Sequence, residues 1–209
     1  MTLITLDETT LAHAVNELIA LDPDLAVVYT RLGVPPLWAR EPGFPTLVHI
    51  ILEQQVSLAS ARAAFDKLRA EVDPLTPEGL LALDDETLRR LGFSRQKIVY
   101  VRYLANAILT GSLDVDGLAS LPDEEVRVQL VALKGIGPWS AEIYLLMALC
   151  RADAWPAGDL ALQVAAQAIK GLPARPDPVA LNALAETWRP WRAVAARLLW
   201  HHYLNKPTA

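Results

Sequence analysis

The chain has one cysteine, Cys150, among its 209 residues. A single thiol forms no intrachain disulfide and supplies neither an iron–sulfur quartet nor a cysteine-based zinc site. The four histidines, His13, His49, His201 and His202, show no ligand spacing with acids, which argues against a metalloenzyme. No uninterrupted apolar run approaches the roughly 18 residues of a membrane span. The N-terminus lacks the basic-then-apolar pattern of an export signal, so no membrane association is expected and the cytoplasm is the default location. A surplus of positive charge is missing too. The formal charge is −5, which argues against wholesale polyelectrolyte binding while leaving room for a local basic face. Strand-like alternation of useful length is also absent.

What remains is an apolar, helical chain. Hydrophobic residues make up 53% and charged ones 21%, so a sizeable core is affordable and disorder is not expected. Asp7 caps a helix that runs to Leu21, and Asp22-Pro23 opens a second that ends at Gly33. Pro35, Pro36, Pro42 and Gly43 make a loop whose Trp38 is expected to pack back on the fold. The next helix, through Leu47, Val48, Ile50, Ile51 and Leu52, is apolar on most sides and should be central. Ser57, Thr76, Asp84 and Ser94 cap further helices, and Leu121-Pro122-Asp123 begins another. A helix to about Cys150, one from Asp159 to about Ile169 and two final helices complete an all-α chain of about a dozen helices.

One stretch carries the chemistry: Leu133-Lys134-Gly135-Ile136-Gly137-Pro138-Trp139-Ser140-Ala141. Two glycines around one isoleucine suit a tight turn between helices, and Pro138 suits a first helical position. Such a turn aims free backbone N–H groups and a helix N-terminus outward, a ready site for phosphate with Lys134 beside it. Standing alone, the tripeptide is equally an ordinary αα-corner. Asp159 follows the turn Trp155-Pro156-Ala157-Gly158 and reads first as an N-cap. A carboxylate in that position is favoured in its ionised form, which suits a reaction whose transition state is cationic on a sugar.

These residues resemble the helix–hairpin–helix DNA glycosylase superfamily, and most closely its DNA-3-methyladenine glycosylase II branch. The likeness extends over roughly residues 40–205. Further blocks support it: Ile51-Leu52-Glu53-Gln54-Gln55-Val56-Ser57, similar to the family's wedge, then Leu91 to Lys97, and Trp188-Arg189-Pro190-Trp191-Arg192. The resemblance implies one glycosylase unit over residues 1–209 built as a two-lobed helical bundle with the active-site cleft between the lobes. One lobe would comprise 1–40 plus 112–209, with the hairpin and Asp159. The other, 41–111, would carry the wedge. No β-rich N-terminal lobe of the kind that longer members carry is expected.

The resemblance also implies an activity. Bifunctional relatives carry a nucleophilic lysine two residues after the second hairpin glycine, where this chain has Trp139. An indole forms no Schiff base, so a monofunctional hydrolase without lyase activity is expected, acting on alkylated bases of the 3-methyladenine and 7-methylguanine class in double-stranded DNA. Asp159 would be catalytic. Trp139 would be the main stacking face of the base pocket, with Tyr144, Ile143, Leu160, Trp191 and Trp188 as further lining. Ile143 and Leu160 stand where better-known members have tyrosines. Gln55, with Gln54 beside it, would be the wedge. Lys134, Gly135, Gly137 and Ser140 would bind a backbone phosphate, Arg95 and Lys97 being weaker candidates. Val131, Leu133 and Ile136 would offer main-chain carbonyls to a Na⁺ or K⁺, with no other cofactor and no iron–sulfur cluster. A monomer on nucleoid DNA is the expected state. Two alternatives stay open: a glycosylase for other damaged bases, and a non-catalytic structure-specific DNA-binding module.

Overall fold

A computed structural model describes residues 3–205. Twelve α-helices occur among them, joined by short 3₁₀ turns and one π-helical turn. The only β pairing among the described residues is an isolated bridge between Thr5 and Arg151. The chain divides into two compact units: Arg40–Tyr144, and the residues up to Ala39 together with those from Leu145 onward.

The discontinuous unit contains α1 (Glu8–Leu21), α2 (Pro23–Leu32), α10 (Leu160–Ile169), α11 (Pro178–Ala185) and α12 (Arg192–Leu204). Eight consecutive residues of α12, Ala193 to Trp200, are buried, which makes it the central helix. Against it pack α1, α2 and α10. Asp22 ties three of these parts together. Its carboxylate caps α2 by accepting from the amides of Asp24 and Leu25. It also receives Lys170 Nζ at 2.6 Å and the Trp188 indole N–H at 2.7 Å. Burial raises its pKa, but the hydrogen bonds from Lys170 and Trp188 outweigh this and hold it below the ordinary value.

The continuous unit contains α3 (Phe44–Glu53), α4 (Leu58–Glu71), α5 (Pro77–Ala82), α6 (Asp85–Arg90), α7 (Arg95–Leu109), α8 (Asp123–Val131) and α9 (Pro138–Ile143). As expected from its composition, α3 is buried almost throughout and packs against α4, α7 and α9. Its C-terminal end is pinned by two cations. Arg40 makes a two-pronged ion pair with the buried Glu53, and Lys97 Nζ donates to the Leu52 carbonyl at 2.7 Å.

Two expectations are corrected. Residues 112–144, hairpin included, pack with 40–111 and not with the C-terminal helices. The cause is non-local: Tyr100 and Gln54 both engage Gly135. The helix after the hairpin does not run regularly to Cys150 either. It changes at Tyr144–Ala148 to a π-helical turn, and Cys150 ends the run with φ of +49°. Among the described residues no helix is long and apolar enough to cross a membrane.

Candidate active site

The hairpin joins α8 to α9. Gly135 adopts φ of +94°, and a Cβ there would stand 2.1 Å from Tyr100 Cγ. Both conformation and space therefore demand glycine at this position. Gly137 is different. Its backbone is extended, and nothing lies within 4 Å of where its Cβ would be, so the surface there is open to a close approach. Pro138 follows as the first residue of α9. Lys134 is exposed beside the turn. Arg127, on α8, pairs with Glu142 on α9 and clamps the two helices of the hairpin.

Gln54 closes α3 and turns its carboxamide inward. Nε2 donates to the Gly135 carbonyl at 2.8 Å and to Ser140 Oγ at 2.9 Å. It is thus a strut between the end of α3 and the hairpin, and its carboxamide is turned away from the wedge role expected of it. Ser140 is only 2% exposed and accepts this bond, which removes its hydroxyl from the expected phosphate contacts. Gln55 alone is presented outward, exposed and with φ of +57°. Lys97 is occupied by the Leu52 carbonyl, and its burial lowers its pKa. Arg95 remains exposed.

In the other unit Asp159 is the N-cap of α10, with Oδ1 accepting from the Leu162 amide at 3.0 Å. The turn before it is braced by Gln163, whose Nε2 donates to the Ala157 carbonyl. A second donor reaches the same oxygen: Trp200 Nε1 at 3.1 Å. Two N–H groups on one carboxylate oxygen fix its orientation and concentrate positive dipole on it. Trp200 is not among the site residues expected from the sequence. Its one signal was a tryptophan on the final helix, which local periodicity cannot separate from core.

The expected pocket residues divide. Trp139 is half-buried and Leu160, beside Asp159, is 56% exposed. Ile143 is buried. Tyr144 is fully buried, its hydroxyl accepting from the Gly43 amide, and its burial pushes its pKa up. It is a core residue here, not an accessible pocket wall. Trp188 is also core, 1% exposed with its indole committed to Asp22 and its ring edge-on to Trp155. Trp191 is half-buried, bonded to Glu17 and edge-on to His13 on α1. No cluster of three His, Cys, Asp or Glu side chains able to hold a metal occurs among the described residues.

A family profile, described as HhH-GPD superfamily base excision DNA repair protein, matches residues 48–190. The chain belongs to this superfamily. As an HhH-GPD protein it is 31% identical over 165 residues to DNA-3-methyladenine glycosylase 1 of Schizosaccharomyces pombe, across 77% of this chain and 72% of that one. It is 32% identical over 124 residues to a putative DNA-3-methyladenine glycosylase of Bacillus subtilis, spanning 59% of this chain but only 43% of that longer protein. Among solved structures it is similar to the Schizosaccharomyces pombe 3-methyladenine DNA glycosylase in complex with abasic DNA. The TM-score is 0.88 at 27% identity, covering 94% of this chain and 99% of that one. The HhH-GPD match takes in Gln54 and Gln55, the hairpin, Asp159 and Trp188. Trp200 lies outside it.

Proposed function

We propose that this HhH-GPD protein is a monofunctional DNA glycosylase that hydrolyses the N-glycosidic bond of extruded alkylated purines, 3-methyladenine and 7-methylguanine. The observation that carries the reading is the Asp159 carboxylate held by the Leu162 amide and the Trp200 indole N–H. The relatives described above are named 3-methyladenine DNA glycosylases, which supports it.

An alkylated purine of this class carries a formal positive charge. When its bond to C1′ breaks, the bonding electrons pass to the base, which leaves neutral and needs no general acid. The positive charge passes to the sugar as an oxocarbenium-like centre. Asp159 stabilises that centre electrostatically, and water then adds to C1′ as its proton passes to the carboxylate or to solvent. Trp139 occupies the place of a lyase lysine, so no covalent enzyme–sugar intermediate forms there and the strand is left uncut.

Extrusion costs a few kcal/mol, which this reading offsets with three features of the continuous unit. The amides of Gly135 and Gly137 with Lys134 take a backbone phosphate. Gln55 fills the vacated space and hydrogen-bonds the orphaned partner base. Trp139 stacks on the cationic base, a cation–π contact worth about 0.5–2 kcal/mol. The carbonyls of Val131, Leu133 and Ile136 belong to the end of α8 and the turn after it, where helix carbonyls carry partial negative charge. Such oxygens suit a Na⁺ or K⁺, which would brace the turn and play no part in the chemistry. A monomer acting on nucleoid DNA completes the proposal.

Asp159→Asn keeps the cap and the fold but removes the charge. It should bind a duplex containing 7-methylguanine and release base several orders of magnitude more slowly. Release near the wild-type rate in a single-turnover assay sinks the reading.

A further inference from the structure

A half-exposed indole stands one ring away from the Asp159 carboxylate. Trp38 lies in the Pro-rich loop after α2 with φ of +50°, a left-handed conformation that bulky residues rarely adopt. Strain of this kind persists where the surroundings over-determine it, and it concentrates at ligand sites. The surroundings are identifiable. The Arg197 guanidinium, 0% exposed, donates to the carbonyls of Leu37, Ala193 and Leu146, so the residue before Trp38 is anchored to α12 and to the π-helical turn. The Trp38 ring meets Trp200 and His201, each at 6.4 Å between centroids and at 70° and 88°. Trp200 in turn donates to Asp159 Oδ1. About one turn of α12 thus positions the Trp38 backbone, its ring and the carboxylate together.

A tryptophan recruited only to fill the core is buried, as Trp188 is. Trp38 is not, and neither aromatic neighbour lies parallel to it. Burial lowers the His201 pKa, so this neighbour favours its neutral form and brings no competing cation. Tryptophan is the best π partner for a cation.

We infer that Trp38 is a base-stacking residue, its indole receiving the extruded, positively charged purine and favouring it over neutral bases. The inference rests on Asp159 being the hydrolytic carboxylate. Because the charge leaves the base as the C1′–N bond breaks, stacking stabilises the extruded substrate more than the transition state. Its loss therefore weakens saturation and does not lower the maximal rate.

The test is single-turnover base release from a 7-methylguanine duplex at varied enzyme concentration, paired with binding to an abasic duplex of the same sequence. Trp38→Ala should raise the enzyme concentration for half-maximal rate roughly two- to thirty-fold, with the maximal rate not lowered and the abasic-duplex affinity unchanged. Trp38→Phe should recover part of the loss, and it carries the test if the alanine variant does not fold. Unchanged half-saturation overturns the inference. So does an equal loss of abasic-duplex affinity, which would mark Trp38 as fold support. Activity retained by Asp159→Asn strikes instead at the reading beneath it, and the two failures are separately visible.

Discussion

Asp159 receives two N–H donors on one oxygen, and the indole of Trp200 is the one that can be removed without disturbing the helix cap. Trp200→Phe keeps a ring at the end of α12 and deletes that donor. A hydrogen bond to a charged group contributes about 1.5–3 kcal/mol. Because the carboxylate is partly exposed, the lower end applies, and base release should slow roughly tenfold while duplex affinity holds. Single-turnover kinetics beside a binding titration check this. At the same scale, the two hairpin glycines look equivalent in the sequence and are not. Gly135 is demanded by φ and by the Tyr100 ring beneath it. Gly137 has an extended backbone and open space, so its lack of a side chain matters to what approaches from outside. Spacing along the chain identified the pair; only the partner ring from α7 distinguishes them.

Helix boundaries were legible wherever a cap side chain marks them. Asp7, Asp22, Ser57, Thr76, Asp84, Ser94 and Asp159 all accept from amides of the helices they open. The π-helical turn was not legible, since no proline or glycine flags Tyr144–Ala148. Gln54 and Ser140 read from the sequence as DNA contacts because it shows polar residues beside a motif without showing that they satisfy each other. Asp22 was legible as a cap but not as a junction, since Lys170 and Trp188 lie far along the chain. Its folded pKa is depressed below 3.8 and that of Lys170 is raised above 10.5. The Asp22 contribution is therefore present above about pH 4 and is lost as pH falls through the folded value. The Lys170 contribution is lost only as pH rises past its raised value. Asp22→Asn should lower stability near pH 7 by about 3 kcal/mol, the lower end for a broken buried pair because Asp24 still holds Lys170. It should also flatten the acid limb. Urea unfolding between neutral and acid pH measures both.

For the whole molecule, the net charge of −5 means that attraction to DNA is local and modest. Each neutralised phosphate contributes a slope of about −0.9 to log affinity against log salt. Lys134→Ala should reduce that slope by about one phosphate, read by fluorescence anisotropy across salt concentrations, and an unchanged slope would remove Lys134 from the interface. The division into units was the least legible feature, because it rests on contacts such as Gln54 to Gly135 between residues distant in sequence. That division also bears on how the protein is made. One unit is a continuous stretch, Arg40–Tyr144, while the other needs both flanks of it. On the ribosome α1 and α2 emerge before the hairpin unit, yet α12, which packs on both, emerges after it. Leu11, Val15, Leu18, Leu25 and Val28, all buried in the finished fold, must wait without the cover of α12 while the hairpin unit completes itself. During synthesis the apolar faces of the first two helices are the stretch a nascent-chain chaperone would hold.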